Sequence, residues 1–153
     1  MAPRPIGVQS QITFLYYDDL EIAAKFYGEV MGFELVEDQR WAKIYRVSGN
    51  AFVGIVAGEK GFRRPQPYNA VLLTLLADDV DAWYDHLEKA GVKLLTGVQN
   101  KEDIQIRCFF FEDPGGYALE VQQFLRSDLV EVFHCGGNVQ RLEEGAEEMA
   151  SEC

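Results

Sequence analysis

The imidazole and thiol side chains of this sequence are two histidines, His86 and His134, and three cysteines, Cys108, Cys135 and Cys153. A zinc site draws on closely spaced Cys and His ligands, and a disulfide framework on an even set of cysteines. Here the cysteines are odd in number, scattered and without a CxxC pair, so both chemistries are excluded and the three read as free thiols. His86 falls inside an amphipathic stretch and His134 in an acidic tail; each reads as a solvated or hydrogen-bonded surface histidine. The chemistry left to the chain is that of carboxylates and aromatic rings. Asp and Glu number 25 against 14 Lys and Arg, and aromatic residues make up 12%.

The formal charge of −11 repels nucleic acid and anionic membranes and favours a basic or metal-complexed ligand. The acids are unevenly spread, since residues 126–153 hold seven of them against two bases, Arg126 and Arg141. With 153 residues, 48% hydrophobic and 25% charged, the chain suits one folded domain or two small modules sharing a core. No apolar run approaches the roughly 18 residues that span a bilayer, and the first residues lack a signal-peptide pattern. The expected setting is the cytoplasm.

The elements that must position any site come from a repeat. Residues 18–35, DDLEIAAKFYGEVMGFEL, and 78–94, DDVDAWYDHLEKAGVKL, share an Asp-Asp opening, an acidic first turn, an amphipathic stretch and a glycine stop. Asp19 and Asp79 can cap the first free N–H groups of a helix, and the acids that follow suit its positive end. Ala23, Phe26, Tyr27 and Val30 fall on one face, as do Val80, Trp83, Leu87 and Ala90. Gly32 and Gly91 supply left-handed stops. Strand-like runs precede each helix at 11–17 and 71–76. Three more follow each, near 33–37, 41–47 and 52–56, then 92–96, 104–111 and 117–123. Both units therefore read β-α-β-β-β. The first module spans 8–57, a linker with Pro65 and Pro67 spans 58–68, the second module spans 69–124, and an acidic tail, either a docked arm or a frayed end, spans 125–153.

Asp19-Leu20, Phe26-Tyr27 and Met31-Gly32-Phe33, together with Asp113-Pro114-Gly115-Gly116-Tyr117-Ala118-Leu119-Glu120, resemble the vicinal oxygen chelate superfamily of glyoxalases, extradiol dioxygenases and bleomycin-resistance proteins. The resemblance covers about residues 8–124 and implies an α+β fold. Two tandem modules form a curved mixed sheet around a cavity, with helices on the outer face. It also implies where enzymatic members hold a divalent metal. The first-strand ligand positions fall on Ile12 and Leu72 and the last-strand position of the first module on Gly54, none of which can ligate; Glu120 alone matches. One carboxylate does not hold a divalent ion. A one-residue bulge turning Gln11 inward is the remaining route to a metal, with Gln11 and Glu120 as weak candidates.

Alternation from these anchors turns Ile12, Phe14 and Tyr16 inward, with Phe52 and Val56 beside Gly54, and Ala118 and Gln122 beside Glu120. In the strand before the DPGG turn, the family register brings in Cys108 and Phe110; the opposite register would present Arg107, Phe109 and Phe111. Trp41 and Tyr45 share a strand face and can reach the opening. These residues are either a ligand pocket or core filler and dimer contacts. Glu120 is either a functional carboxylate or a structural one paired with Arg107 or a tyrosine. The expected function is metal-independent binding of a small, cationic or aromatic molecule, of the bleomycin-resistance type, by a homodimer without cofactor. The alternative is a metal-dependent lyase, isomerase or dioxygenase with a degenerate ligand set, or a metal-free catalyst using Glu120. A third reading has a vestigial pocket and an acidic tail that recruits a protein.

Overall fold

The computed structural model describes residues 6–134. Cys135, Cys153 and most of the acidic tail lie outside the described residues. The first half runs β1 (Gln11–Tyr17), α1 (Leu20–Lys25), a π-helical turn (Phe26–Val30), β2 (Glu34–Asp38), β3 (Ala42–Ser48) and β4 (Ala51–Ala57). The second runs β5 (Leu72–Leu76), α2 (Val80–Lys89), β6 (Lys93–Leu94), β7 (Gln99–Lys101), β8 (Ile106–Glu112) and β9 (Ala118–Phe124), then α3 (Ser127–Phe133). The strands form two mixed sheets, β1-β4-β3-β2 and β5-β9-β8-β6, with β7 also pairing β8. In each sheet the first and last strands of the repeat run parallel, β1 with β4 and β5 with β9, and the remaining pairs are antiparallel.

Local chemistry sets the helix ends. The Asp19 carboxylate accepts the Glu21 and Ile22 N–H groups, and Asp79 accepts that of Ala82. Gly32 and Gly91 close the helices at φ +71° and +75°, a region that favours glycine. The first helix widens after Lys25 into a π-turn and still buries Ala23, Phe26 and Tyr27. In α2, Val80 and Leu87 are buried, whereas Ala90, expected on the same face, is exposed at the helix end. The strand expected at 92–96 is reduced to two residues, and β7 is an additional short strand. Among the described residues no helix is long and apolar enough to cross a membrane.

One core spans both halves. Leu15, Tyr17, Phe26, Tyr27, Val53 and Ile55 join Leu75, Val80, Leu87, Phe109, Phe111 and Leu119 in one buried cluster. Alternation explains its composition, since odd-numbered residues of β1, β4, β8 and β9 all face the helices. The halves are also joined by a buried carboxylate. Asp113 Oδ1 accepts the backbone N–H groups of Gly115 and Tyr117, and Oδ2 accepts the hydroxyls of Tyr17 and Tyr27. The Tyr117 hydroxyl in turn accepts the N–H of Tyr16 at 2.9 Å. The DPGG turn therefore ties the second sheet to β1 and to the first helix. The start of the tail is docked: α3 packs on β9, with Phe133 stacked on Phe124 at 5.3 Å between ring centroids.

Candidate ligand-binding faces

With one face of each sheet covered by helices, the opposite face is left open. In the first sheet it carries Ile12, Phe14 and Tyr16 from β1, Phe52, Gly54 and Val56 from β4, and Ala42, Ile44 and Arg46 from β3. On β1, the edge strand of this sheet, Phe14 is 40% exposed and Ile12 39%. The ring of Phe14 packs against Gly54, where an added Cβ would stand 2.3 Å from it. Gly54 thus serves as the seat of an aromatic ring at a position where the resemblance implies a metal ligand. Phe52 is half-buried beneath the Arg46 guanidinium, 4.9 Å from its ring centroid.

In the second sheet the open face carries Leu72, Thr74 and Leu76 from β5, Ala118, Glu120 and Gln122 from β9, and Cys108 and Phe110 from β8. Glu120 lies between Thr74 on one neighbouring strand and Phe110 on the other, and is 6% exposed. Its Oε1 accepts the Thr74 hydroxyl at 2.8 Å. Burial first, then the neighbouring Glu120 carboxylate, pushes the Cys108 thiol pKa up. Cys108 is therefore a poor nucleophile. The register is the one that turns Cys108 and Phe110 toward the open face, while Phe109 and Phe111 fill the helix-side core.

Several expected residues lie elsewhere. Tyr45 does not reach the opening: it pairs with Val53 on the helix side, is 3% exposed, and donates its hydroxyl to the Ala24 carbonyl. Trp41 stands at the turn into β3, exposed, and is not on a strand face with Tyr45. Gln11 is not turned inward, because β1 pairs β4 residue for residue from Gln11 to Tyr17 without a bulge and keeps Gln11 on the side of Leu15. Arg107 does not pair with Glu120; it holds Asp81 and Asn100 across the helix side. His86, by contrast, is the hydrogen-bonded surface histidine expected: it is exposed and its Nε2 meets the Val30 carbonyl at 2.7 Å beside Trp83. Thr74, the direct partner of Glu120, was missed. Its signal was the lone hydroxyl in the apolar run 71–76, at the repeat position of Phe14.

The residues that would have to hold a divalent metal do not fit one. The implied positions are occupied by Ile12, Leu72 and Gly54, and Glu120 accepts the Thr74 hydroxyl. Among the described residues no group of three His, Cys, Asp or Glu side chains converges.

Comparison with known proteins agrees with this architecture. A sequence model of the Glyoxalase/Bleomycin resistance protein/Dioxygenase superfamily matches residues 9–121. The fold is similar to that of a lactoylglutathione lyase from Agrobacterium tumefaciens, with a TM-score of 0.63 and 21% identity over 78% of this chain and 96% of that one. TioX from Micromonospora sp. ML1 gives a TM-score of 0.65 and 18% identity over 77% and 100% of the respective chains. A glyoxalase/bleomycin resistance protein/dioxygenase from Nocardioides gives 0.66 and 17% over 83% and 88%.

Proposed function

Since the chain belongs to the glyoxalase/bleomycin resistance protein/dioxygenase superfamily, we propose that it is a metal-independent small-molecule binder of that superfamily, acting as a homodimer, in the manner of a drug-sequestering resistance protein. The observation that carries this reading is the open face of the two sheets. Phe14, Phe52 and Phe110 offer ring surfaces for a planar molecule, and Glu120 offers one carboxylate in a largely buried setting. Isoleucine, leucine and glycine at the metal-ligand positions support binding without a metal. Exposed Ile12, Phe14, Leu72 and Leu76 leave apolar area that a second copy would cover. The acidic chain favours a cationic ligand.

The test is native mass spectrometry of protein purified without chelator and then offered Ni²⁺, Zn²⁺ and Mn²⁺. The expected result is a dimer that takes up no stoichiometric metal and retains an organic adduct, which Phe14→Ala loses. A stoichiometric metal removed by Glu120→Ala, with turnover of a methylglyoxal–glutathione adduct or a catechol, would overturn the proposal in favour of an enzyme.

A further inference from the structure

Away from the helix-side core, the end of β1, the start of α1, the linker and the β8–β9 turn converge on a cavity of about 380 Å³. Tyr16, Pro65, Pro67 and Pro114 line it together with the carboxylates Asp18 and Asp19, and no lysine or arginine does. Its volume lies within the range of small-ligand sites, roughly 300–1,000 Å³. The walls are fixed by close contacts. Pro65 packs over Gly58, where an added Cβ would lie 2.3 Å from the proline ring, and Gly115 packs on the Tyr17 ring, where a Cβ would lie 2.6 Å away. Within the linker the Arg64 guanidinium donates to the Gly61 carbonyl at 2.6 Å, and the prolines fix their own φ angles. Such a site needs little ordering on binding.

The charges around it are unbalanced. Asp19 is committed to capping α1 through Oδ1. Asp18 is exposed and has no hydrogen bond or ion pair among the described residues. Of the linker cations, Arg64 is held by the Gly61 and Arg63 carbonyls and Arg63 lies over the Phe62 ring. The repeat supplies an internal comparison. At the corresponding junction Leu76, Ala77 and Asp78 meet Ser48 at the end of β3 around a cavity of about 350 Å³, but there Val130 and Phe133 at α3 form part of the lining. The fold leaves a similar gap twice, and the first gap combines an aromatic ring, three prolines and a carboxylate without a partner.

We propose that the first junction cavity binds an organic cation, an ammonium, amidinium or guanidinium group on a small flat apolar body. Asp18 accepts hydrogen bonds from the cation, and Tyr16 and the proline rings flank the body. This site is separate from the open sheet faces and shares only Tyr16 with them. The experiment is a titration of the full-length, ¹⁵N-labelled protein with benzamidine, with benzoate and benzyl alcohol as anionic and neutral counterparts, followed by amide shifts and calorimetry. Benzamidine is expected to shift the amides of Asp18, Gln66 and Gly115, to bind in preference to both counterparts, and to lose about fivefold to tenfold in affinity in Asp18→Asn at unchanged Tm. Equal binding of benzoate, an unaltered affinity in Asp18→Asn, or shifts confined to Ala77 and Gln122 at the second junction would overturn the proposal. Shifts confined to Phe14 and Glu120 would also overturn it, while leaving the sheet-face reading intact.

Discussion

Replacing Asp113 by alanine strikes the contact that joins the two halves, and its cost follows from the hydrogen bonds lost. The carboxylate is 5% exposed and accepts four donors: the hydroxyls of Tyr17 and Tyr27 and the N–H groups of Gly115 and Tyr117. In Asp113→Ala the Tyr17 hydroxyl can still donate to Tyr27 at 3.1 Å, and Gly115 lies in an exposed turn that water reaches. The Tyr27 hydroxyl and the Tyr117 N–H are left buried without an acceptor, at about 1–3 kcal/mol each. With the small cavity added, the expected loss is about 3–5 kcal/mol. For a chain of this length that lowers Tm by on the order of 10 °C. Asp113→Asn should lose under about 1 kcal/mol, because its amide oxygen still accepts the turn N–H groups and the tyrosine hydroxyls can rotate to accept from its amide nitrogen. It should also alter the pH profile. Burial raises the Asp113 pKa above the usual 3.8 against the pull of its hydrogen bonds. The folded protein therefore binds this proton more tightly than the unfolded chain does, and the group's contribution declines as pH rises through that window. Asparagine removes that decline. Urea denaturation followed by circular dichroism between pH 3 and 8 measures all three quantities. A loss below about 1 kcal/mol in Asp113→Ala, or equal damage in Asp113→Asn, would refute the reasoning.

Three further outcomes are expected. Burial, followed by neighbouring negative charge, raises the Tyr17 and Tyr27 hydroxyls above 10.0, so their stabilisation is present below that pH and lost above it; Tyr17→Phe should reduce the alkaline slope of stability by one proton, about 1.4 kcal/mol per pH unit in denaturation series. In a Cys135→Ser, Cys153→Ser background, Cys108 should react slowly with iodoacetamide, and Glu120→Gln should speed that reaction by removing the charge that holds the thiol pKa up, as a mass-spectrometric time course would show. Gly54→Val should push the Phe14 ring off its seat and weaken retention of any organic adduct, with far-ultraviolet circular dichroism unchanged.

The repeat made much of this legible. The Asp-Asp openings placed both caps, the glycine stops placed both left-handed turns, and alternation in β1, β4, β8 and β9 separated Phe14, Phe52, Phe110 and Glu120 from the core residues between them. These features depend on a residue's immediate neighbours and on the period of the element, which the sequence carries directly. Tyr45 shows the limit of such reading. Alternation places it opposite Ile44 and Arg46, but only pairing with Val53 shows that its face is the one against α1, and an aromatic body with a hydroxyl tip suits either side.

By itself, then, the sequence determined the repeated strand–helix–strand plan of the two halves, with the first half as β-α-β-β-β, and the aromatic character of one strand face. Tertiary structure decided which charges meet. Asp113 reads in the sequence as a turn residue and becomes the buried acceptor of two tyrosines from the other half, 96 and 86 residues away along the chain. Thr74 rather than Arg107 engages Glu120, and the linker prolines meet β1 to enclose a cavity. Such contacts join residues far apart in sequence, and which of them form is fixed by how the two sheets and their helices pack, a property of the whole fold rather than of any local window.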